Sequence, residues 1–259
     1  MNANLASIMP QVIAVWCEEA GHDVTFVVYT GFEDLATALP ANTDVLFIGA
    51  FSESAQLSYA ISNMYRQRGT VTVLGGPHAR CYPEDATRYF DYVLGFTDKS
   101  LIVDVLNDHA QHRPVGVMVA SAKQPSALPG VRARWKFVAE TLAKAPTIKI
   151  VPMLASIGCP YTCSFCIDST VDYHAFEVDE MRQDLRFLPA SVRGPVDFCA
   201  LVLLASNCFS EIMTLLLADF SKSDGIFIFD AGNWMLLNLG GMEVGRGRDA
   251  RCPAVRVKK

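Results

Sequence analysis

The sequence predicts an α/β protein, in which a doubly wound parallel sheet is followed by a second unit that opens with a strand and a cysteine-bearing loop. Three observations carry this. In the first part of the chain, short β-branched and aromatic runs alternate with segments of helical spacing. Small residues gather just past the ends of two of those runs, at Gly49-Ala50-Phe51-Ser52 and Gly75-Gly76-Pro77. Three cysteines then fall within eight residues directly after a later strand-like run.

The elements follow in order. Ile8 to Ala20 has helical spacing, with Ile8, Val12, Val15 and Trp16 on one face, and Gly21 stands where a left-handed C-cap is expected. Val24 to Tyr29 is a β-branched and aromatic run suited to a buried strand. A short helix around Glu33 to Leu39, a strand Asp44 to Ala50, a helix Ser54 to Arg68 and a strand Thr70 to Leu74 come next. After Gly75-Gly76-Pro77-His78, a helix near Glu84 to Phe90 leads to a strand Tyr92 to Leu94 and a helix Ser100 to Ala110. Strands separated by helices of this length make βαβ units, whose parallel sheet is covered on both faces. Such sheets bind ligands at the carboxyl ends of their strands, although glycines there also serve simple tight turns.

Residues 111–146 carry Pro114, Pro125, Pro129, Gly130 and Pro146 with the basic trio Arg132, Arg134 and Lys136, and read as a linker with a helix inside it. Thr147 to Ala155 is a buried-strand run that delivers the chain into Ser156-Ile157-Gly158-Cys159. The organisation is therefore 1–110 for the first unit, 111–146 for the linker and 147–259 for the second.

Composition narrows the partners. With 259 residues, 51% of them hydrophobic, the chain can bury sizeable cores. Its net charge of −5 offers no broad basic surface for a nucleic-acid backbone, so no nucleic-acid partner is expected. Met1-Asn2-Ala3-Asn4 lacks the basic and apolar regions of a signal peptide. A cytoplasmic location is expected, where clustered thiols serve as metal ligands or catalytic groups rather than disulfides. Five of the eight cysteines (Cys17, Cys81, Cys199, Cys208 and Cys252) are scattered and read as small buried hydrophobes. The nearest approach to a membrane span, Phe198 to Phe220, is interrupted by Asn207, Ser210, Glu211 and Asp219 and reads as a buried helix. No membrane partner is expected.

Cys159-Pro160-Tyr161-Thr162-Cys163-Ser164-Phe165-Cys166 is where the chemistry concentrates. Thiolates suit zinc or iron–sulfur clusters. A zinc site usually shows paired two-residue spacings and a fourth Cys or His. Here the first spacing is three residues and no close partner pair follows, yet a zinc-binding interaction module stays open as a reading. Three ligands on an iron–sulfur cubane leave one iron free to bind a small molecule. Asp168, Asp172 and His174 follow the cysteines and suit either substrate or cofactor contact or a solvated turn. No nucleophile elbow and no phosphate-loop pattern occur.

Gly-Cys-Pro-Tyr-Thr-Cys-Ser-Phe-Cys resembles the signature of the radical S-adenosylmethionine superfamily. The resemblance implies that Cys159, Cys163 and Cys166 bind a 4Fe-4S cluster, whose open iron chelates S-adenosylmethionine, and that Phe165 lies against the adenine. It implies an enzyme that starts radical chemistry, methyl transfer or rearrangement, on an organic small molecule, with an electron donor such as flavodoxin or ferredoxin. The strand before Cys159 would be the first of a partial (β/α) barrel. The N-terminal domain is similar to the flavodoxin-like, cobalamin-binding domains of one class of that superfamily. On that likeness Ser52, Gly75, Gly76, Pro77 and His78 are the candidates for cobalamin contact.

The resemblance is incomplete. No Asp-x-His-x-x-Gly motif is present, so a histidine-ligated cobalt is not expected, and His22 and His78 read as ordinary polar residues. Nothing before Ile8 reads as a central first strand. A complete barrel needs about 200 residues, more than 167–259 supplies. Beyond Pro189 the βα rhythm fades, and Gly240-Gly241-Met242-Glu243 does not reproduce the Gly-Gly-Glu motif of the family. A truncated chain, or a non-catalytic remnant of such an enzyme, is the alternative expectation.

Overall fold

The computed structural model describes residues 8–29, 32–111, 116–121, 125–144, 151–154, 156–158, 164, 171–191, 196–199, 226–230, 234–238, 242–244 and 255–257. Apart from residues 1–6, the chain divides at Leu128–Pro129 into two compact units.

The first unit opens with α1 (Ile8–Glu19), whose buried face includes Ile8, Val12, Val15 and Trp16, the residues that its spacing groups together. It closes as expected at Gly21, whose φ is +90°. The Gly21 N–H donates to Glu18 O and the His22 N–H to Cys17 O, which satisfies carbonyls that the helix end leaves over. Then follow α2 (Leu35–Ala38), β1 (Val45–Gly49), a short 3-10 turn at Ser52–Ser54, α3 (Ala55–Gln67), β2 (Val71–Gly75), α4 (Pro77–Cys81), α5 (Pro83–Ala86), β3 (Tyr92–Leu94), α6 (Lys99–Gln111) and β4 (Val117–Val119). The four strands form one parallel sheet in the order β1-β2-β3-β4.

Every residue of Val71–Leu74 and of Tyr92–Leu94 is buried. Because neighbouring strand residues point to opposite faces, this means that both faces of the sheet are covered. On one face, Leu74 and Val93 join Ala55, Tyr59, Ala79, Ala86 and Phe90 in a core shared with α3, α4 and α5. On the other, the Tyr92 hydroxyl reaches Asp108 of α6 at 2.5 Å, and α1 packs on α6. A polar anchor crosses the sheet: the buried Asp91 carboxylate accepts from the Thr72 N–H at 2.8 Å and pairs with Arg66 Nε at 3.2 Å.

Val24 to Tyr29 departs from expectation, since it forms neither a helix nor a ladder. β propensity records a fit to a pleated, half-buried surface and does not supply the neighbour that a strand needs. The helix expected near Glu84 to Phe90 is shorter, ending at Ala86, after which Thr87–Tyr89 turn.

The second unit begins with α7 (Val131–Lys144), followed by β5 (Val151–Leu154), β6 (Ser156–Ile157), β7 (His174–Ala175), α8 (Val178–Ser191), β8 (Val196–Cys199), β9 (Ile226–Asp230), β10 (Trp234–Asn238), β11 (Met242–Val244) and β12 (Val255–Val257). Strands β5, β8 and β9 are parallel neighbours, and β10 adds antiparallel to β9. The β5-α8-β8 segment is thus a parallel βαβ unit, with α8 where the sequence expects a helix at Asp179 to Leu188. Helix α7 starts on α8: the Asp184 carboxylate accepts from the Val131 N–H at 2.8 Å, and burial pushes that carboxyl above its ordinary range. Arg134, 3% exposed, donates from Nε to Pro129 O at 2.8 Å, and burial lowers its guanidinium to about 10 against the opposing pull of Asp184.

No described helix is long and apolar enough to cross a membrane, and most of the apolar stretch Phe198 to Phe220 lies outside the described residues.

Candidate functional site

Two places carry the residues singled out by the sequence, one in each unit. The first lies at the carboxyl ends of β1 and β2. There the backbone itself forms a clasp: the Ala50 N–H donates to Gly75 O and the His78 N–H to Ala50 O, both at 3.1 Å. Gly76 makes the clasp feasible. Its φ of +95° and ψ of −174° belong to a region that is essentially reserved for glycine. A Cβ there would also stand 2.9 Å from Ala50 O and 3.1 Å from Ala50 N. Pro77 then starts α4 at a position where its missing N–H and fixed φ are tolerated.

Ser52, Gly75, Gly76, Pro77 and His78 are therefore brought together. His78, which the sequence reads as an ordinary polar residue, is 6% exposed with both its ring nitrogens engaged. Nε2 lies 2.7 Å from the Tyr59 hydroxyl and Nδ1 lies 3.1 Å from Ser52 Oγ. Tyr59 in turn donates to Asp85 Oδ2 at 3.0 Å, and Asp85 pairs with Arg88 at 3.4 Å. Burial, with that carboxylate contact second, pushes the Tyr59 hydroxyl up to about 12, so it keeps its proton. Tyr59 and Asp85 escape a motif-based reading. The available signal is a tyrosine on the buried face of α3, whose hydroxyl needs a partner.

The rim of this place is polar and aromatic. Ser52 and Gly76 are exposed, Phe51 and Tyr82 project with more than half their surface free, and the Tyr82 ring centroid lies 5.3 Å from that of His78. The Arg80 guanidinium lies 5.0 Å from the centre of the Phe96 ring. Small and hydroxyl-bearing residues at strand ends suit the polar periphery of a large cofactor. They do not suit cobalt ligation by His78, since neither ring nitrogen is spare.

The second place is the cysteine loop. Cys159, Cys163, Phe165, Cys166 and Asp168 lie outside the described residues, but both ends of their loop are defined. Strand β5 leads within two residues into β6, which pairs antiparallel with β7 through Ser156↔Ala175 and Ile157↔His174. Gly158, with φ +74°, closes the base of the loop: a Cβ on it would lie 2.2 Å from Asp172 O and 2.7 Å from Val171 O. Glycine is required immediately before the first cysteine because the two arms of the loop touch backbone to backbone. Asp172 and His174 are exposed, and the His174 ring meets Phe176 edge to face.

Two buried hydroxyls flank this loop without a hydrogen-bond partner among the described residues, Ser156 Oγ and Tyr173 OH. Buried polar atoms of this kind are scarce in proteins and often mark where a water, ion or ligand belongs. Together with three soft thiolate donors in the sequence of one loop, they fit an iron–sulfur cluster and a polar small molecule bound beside it. Among the described residues no group of three or more His, Cys, Asp and Glu side chains stands together.

No protein-family model matches the chain. Over 128 residues, 48% of its length, the chain is 30% identical to bacteriochlorophyllide d C-8(2)-methyltransferase of Chlorobaculum tepidum. Over 146 residues, 55% of its length, it is 24% identical to bacteriochlorophyllide d C-12(1)-methyltransferase of the same organism. The matches cover 28% and 32% of those proteins, so the chain spans less than a third of the curated relatives it matches. The chain is thus similar to methyltransferases.

Proposed function

We propose that the chain is the cofactor-binding part of a radical S-adenosylmethionine methyltransferase. In this reading Cys159, Cys163 and Cys166 hold a 4Fe-4S cluster, Phe165 lies against the adenine of S-adenosylmethionine, and the first unit offers cobalamin a polar edge at Ser52 and Gly75–His78. The observation that carries the reading is the loop itself: three thiols at the Cys-x-x-x-Cys-x-x-Cys spacing, on a loop that follows the parallel strand β5 by way of β6 and starts at a glycine no other residue can replace. The likeness to two methyltransferases supports it independently. When bound, the cluster and S-adenosylmethionine supply a one-electron route to activating an unreactive carbon, and cobalamin supplies a methyl carrier.

The roles of the chain's own residues follow. The thiolates neutralise the metal charge and leave one iron without a protein ligand. Gly158 lets the β6 and β7 arms close under the loop, which fixes where the first thiolate starts. Ser156 Oγ and Tyr173 OH, buried and without a hydrogen-bond partner among the described residues, would serve the polar end of S-adenosylmethionine. The clasp between Ala50, Gly75 and His78 would keep the cobalamin edge rigid. The second unit is read as the start of a partial (β/α) barrel, with flavodoxin or ferredoxin as electron donor and the cytoplasm as compartment. The substrate is an organic small molecule, and the names of the relatives make a bacteriochlorophyllide the first to test.

Anaerobic reconstitution of the protein with iron and sulfide tests the reading. The expected product is brown, carries close to four iron and four sulfide per chain, and cleaves S-adenosylmethionine reductively. Alanine at any one of the three cysteines should abolish iron uptake. Stoichiometric zinc without labile sulfide would replace this proposal with a zinc-binding module. A cluster that never cleaves S-adenosylmethionine would leave a non-catalytic remnant.

A further inference from the structure

The hydrogen bonds around His78 have a direction, and the direction follows from counting protons. An aspartate carboxylate accepts and does not donate. The single Tyr59 hydroxyl proton therefore goes to Asp85 Oδ2, 3.0 Å away. With its proton committed, Tyr59 oxygen can only accept at the 2.7 Å contact with His78, so Nε2 carries the ring proton. A neutral imidazole with its proton on Nε2 has a bare lone pair on Nδ1. At 3.1 Å, Ser52 Oγ must then be the donor to Nδ1. Ser52, an exposed residue, thus spends its one proton inward, and its oxygen keeps only lone pairs for any other partner.

We propose that Asp85, Tyr59 and His78 are positioning residues that set the polarity of Ser52, turning it into an obligate acceptor for a ligand N–H group such as a primary or secondary amide. The relay does not depend on the function proposed above; only the choice of an amide-bearing ligand rests on the cobalamin reading. The arrangement also explains why a buried histidine stands beside a clasp that the backbone already closes. Tyr59 and Ser52 engage both ring nitrogens, so its tautomer is fixed from behind rather than by the ligand.

The experiment reads the tautomer directly. Long-range proton–nitrogen correlation spectra of the 15N-histidine-labelled full chain at neutral pH should show His78 with its proton on Nε2. In Asp85→Ala the Tyr59 hydroxyl loses its carboxylate and turns its proton to Nε2, so the ring proton should move to Nδ1 and Ser52 should become the acceptor within the relay. Asp85 is half exposed and its side chain otherwise pairs with the surface residue Arg88, so this variant keeps the fold, which an unchanged amide spectrum elsewhere verifies. A merely structural Asp85 would leave the tautomer alone, and a wild-type Nδ1–H form, or an unmoved proton in Asp85→Ala, overturns the relay.

Titration with hydroxocobalamin then reads the ligand side. Loss of one oriented hydrogen bond predicts binding weaker by about 2- to 12-fold in Asp85→Ala. Equal affinity in the two proteins refutes the acceptor role of Ser52. No binding to the wild-type protein, with the tautomer as stated, refutes the cobalamin reading and upholds the relay.

Discussion

Replacing Gly76 with Ala puts the clasp between β1 and β2 to a quantitative test. Two independent costs combine. The backbone sits at φ +95° and ψ −174°, where a side chain costs about 1–3 kcal/mol. The new Cβ would lie 2.9 Å from Ala50 O, the atom that accepts from the His78 N–H, so relief of the contact must stretch that bond and the neighbouring one from Ala50 to Gly75. Two weakened hydrogen bonds contribute about 1–3 kcal/mol more. The total of about 2–6 kcal/mol is a large share of the 5–15 kcal/mol typical of a folded domain. Gly21 supplies the control, since its φ of +90° is similar but no atom lies within 4 Å of its Cβ position. Gly21→Ala should therefore cost only the backbone part, about 1–2 kcal/mol. Urea dependence of amide exchange at Val73 and Leu74, both fully buried in β2, measures each variant in the unit that contains the change. If Gly76→Ala proves no more damaging than Gly21→Ala, the contact with Ala50 carries no energy and the account of the clasp is wrong.

Two further outcomes follow. Asp98 caps α6 by accepting from the Leu101 N–H and the Ser100 hydroxyl, both at 2.9 Å; burial raises its carboxyl, but these bonds outweigh it and hold the carboxyl below its ordinary value. A depressed carboxyl stabilises above its unfolded value and loses that contribution as pH falls through its folded one. Asp98→Ala should thus cost about 1 kcal/mol at neutral pH, with a gap to wild type that starts closing below about pH 4; a gap that persists unchanged in acid refutes the cap. Burial pushes the Cys17 thiol up to about 11, whereas Cys81 is exposed. Iodoacetamide on the native protein should alkylate Cys81 and spare Cys17, and mass spectrometry of the peptides containing each decides it.

Much of the first unit was legible because its signals are local. The apolar stripe of α1, the glycine after it, and the strands at 45–49, 71–75 and 92–94 all answer to spacing and turn chemistry. Val24 to Tyr29 has the composition of a strand without forming one, because pairing is a property of two segments and one segment alone cannot reveal it. The strand-end candidates Ser52 and Gly75–His78 could be gathered from sequence since glycine and proline mark turns, but His78 looked ordinary. Its burial and its partners Tyr59 and Asp85 come from three separate elements, and no spacing rule links a residue of α3 to one of α5. Gly158 belongs to the cysteine motif, and its physical reason, the approach of Val171 and Asp172, lies on the far side of the loop.

The start of α7 has a practical corollary for dividing this protein into pieces. Its first free N–H is capped by Asp184, a carboxylate that arrives only with α8, and Arg134 is desolvated in the same neighbourhood. A fragment ending anywhere between Lys144 and Asp184 would lose the carboxylate that accepts from the Val131 N–H and leave the leading turn of that helix uncapped. Scissors applied after Leu128 sever neither dependence, so expression of the halves should begin there.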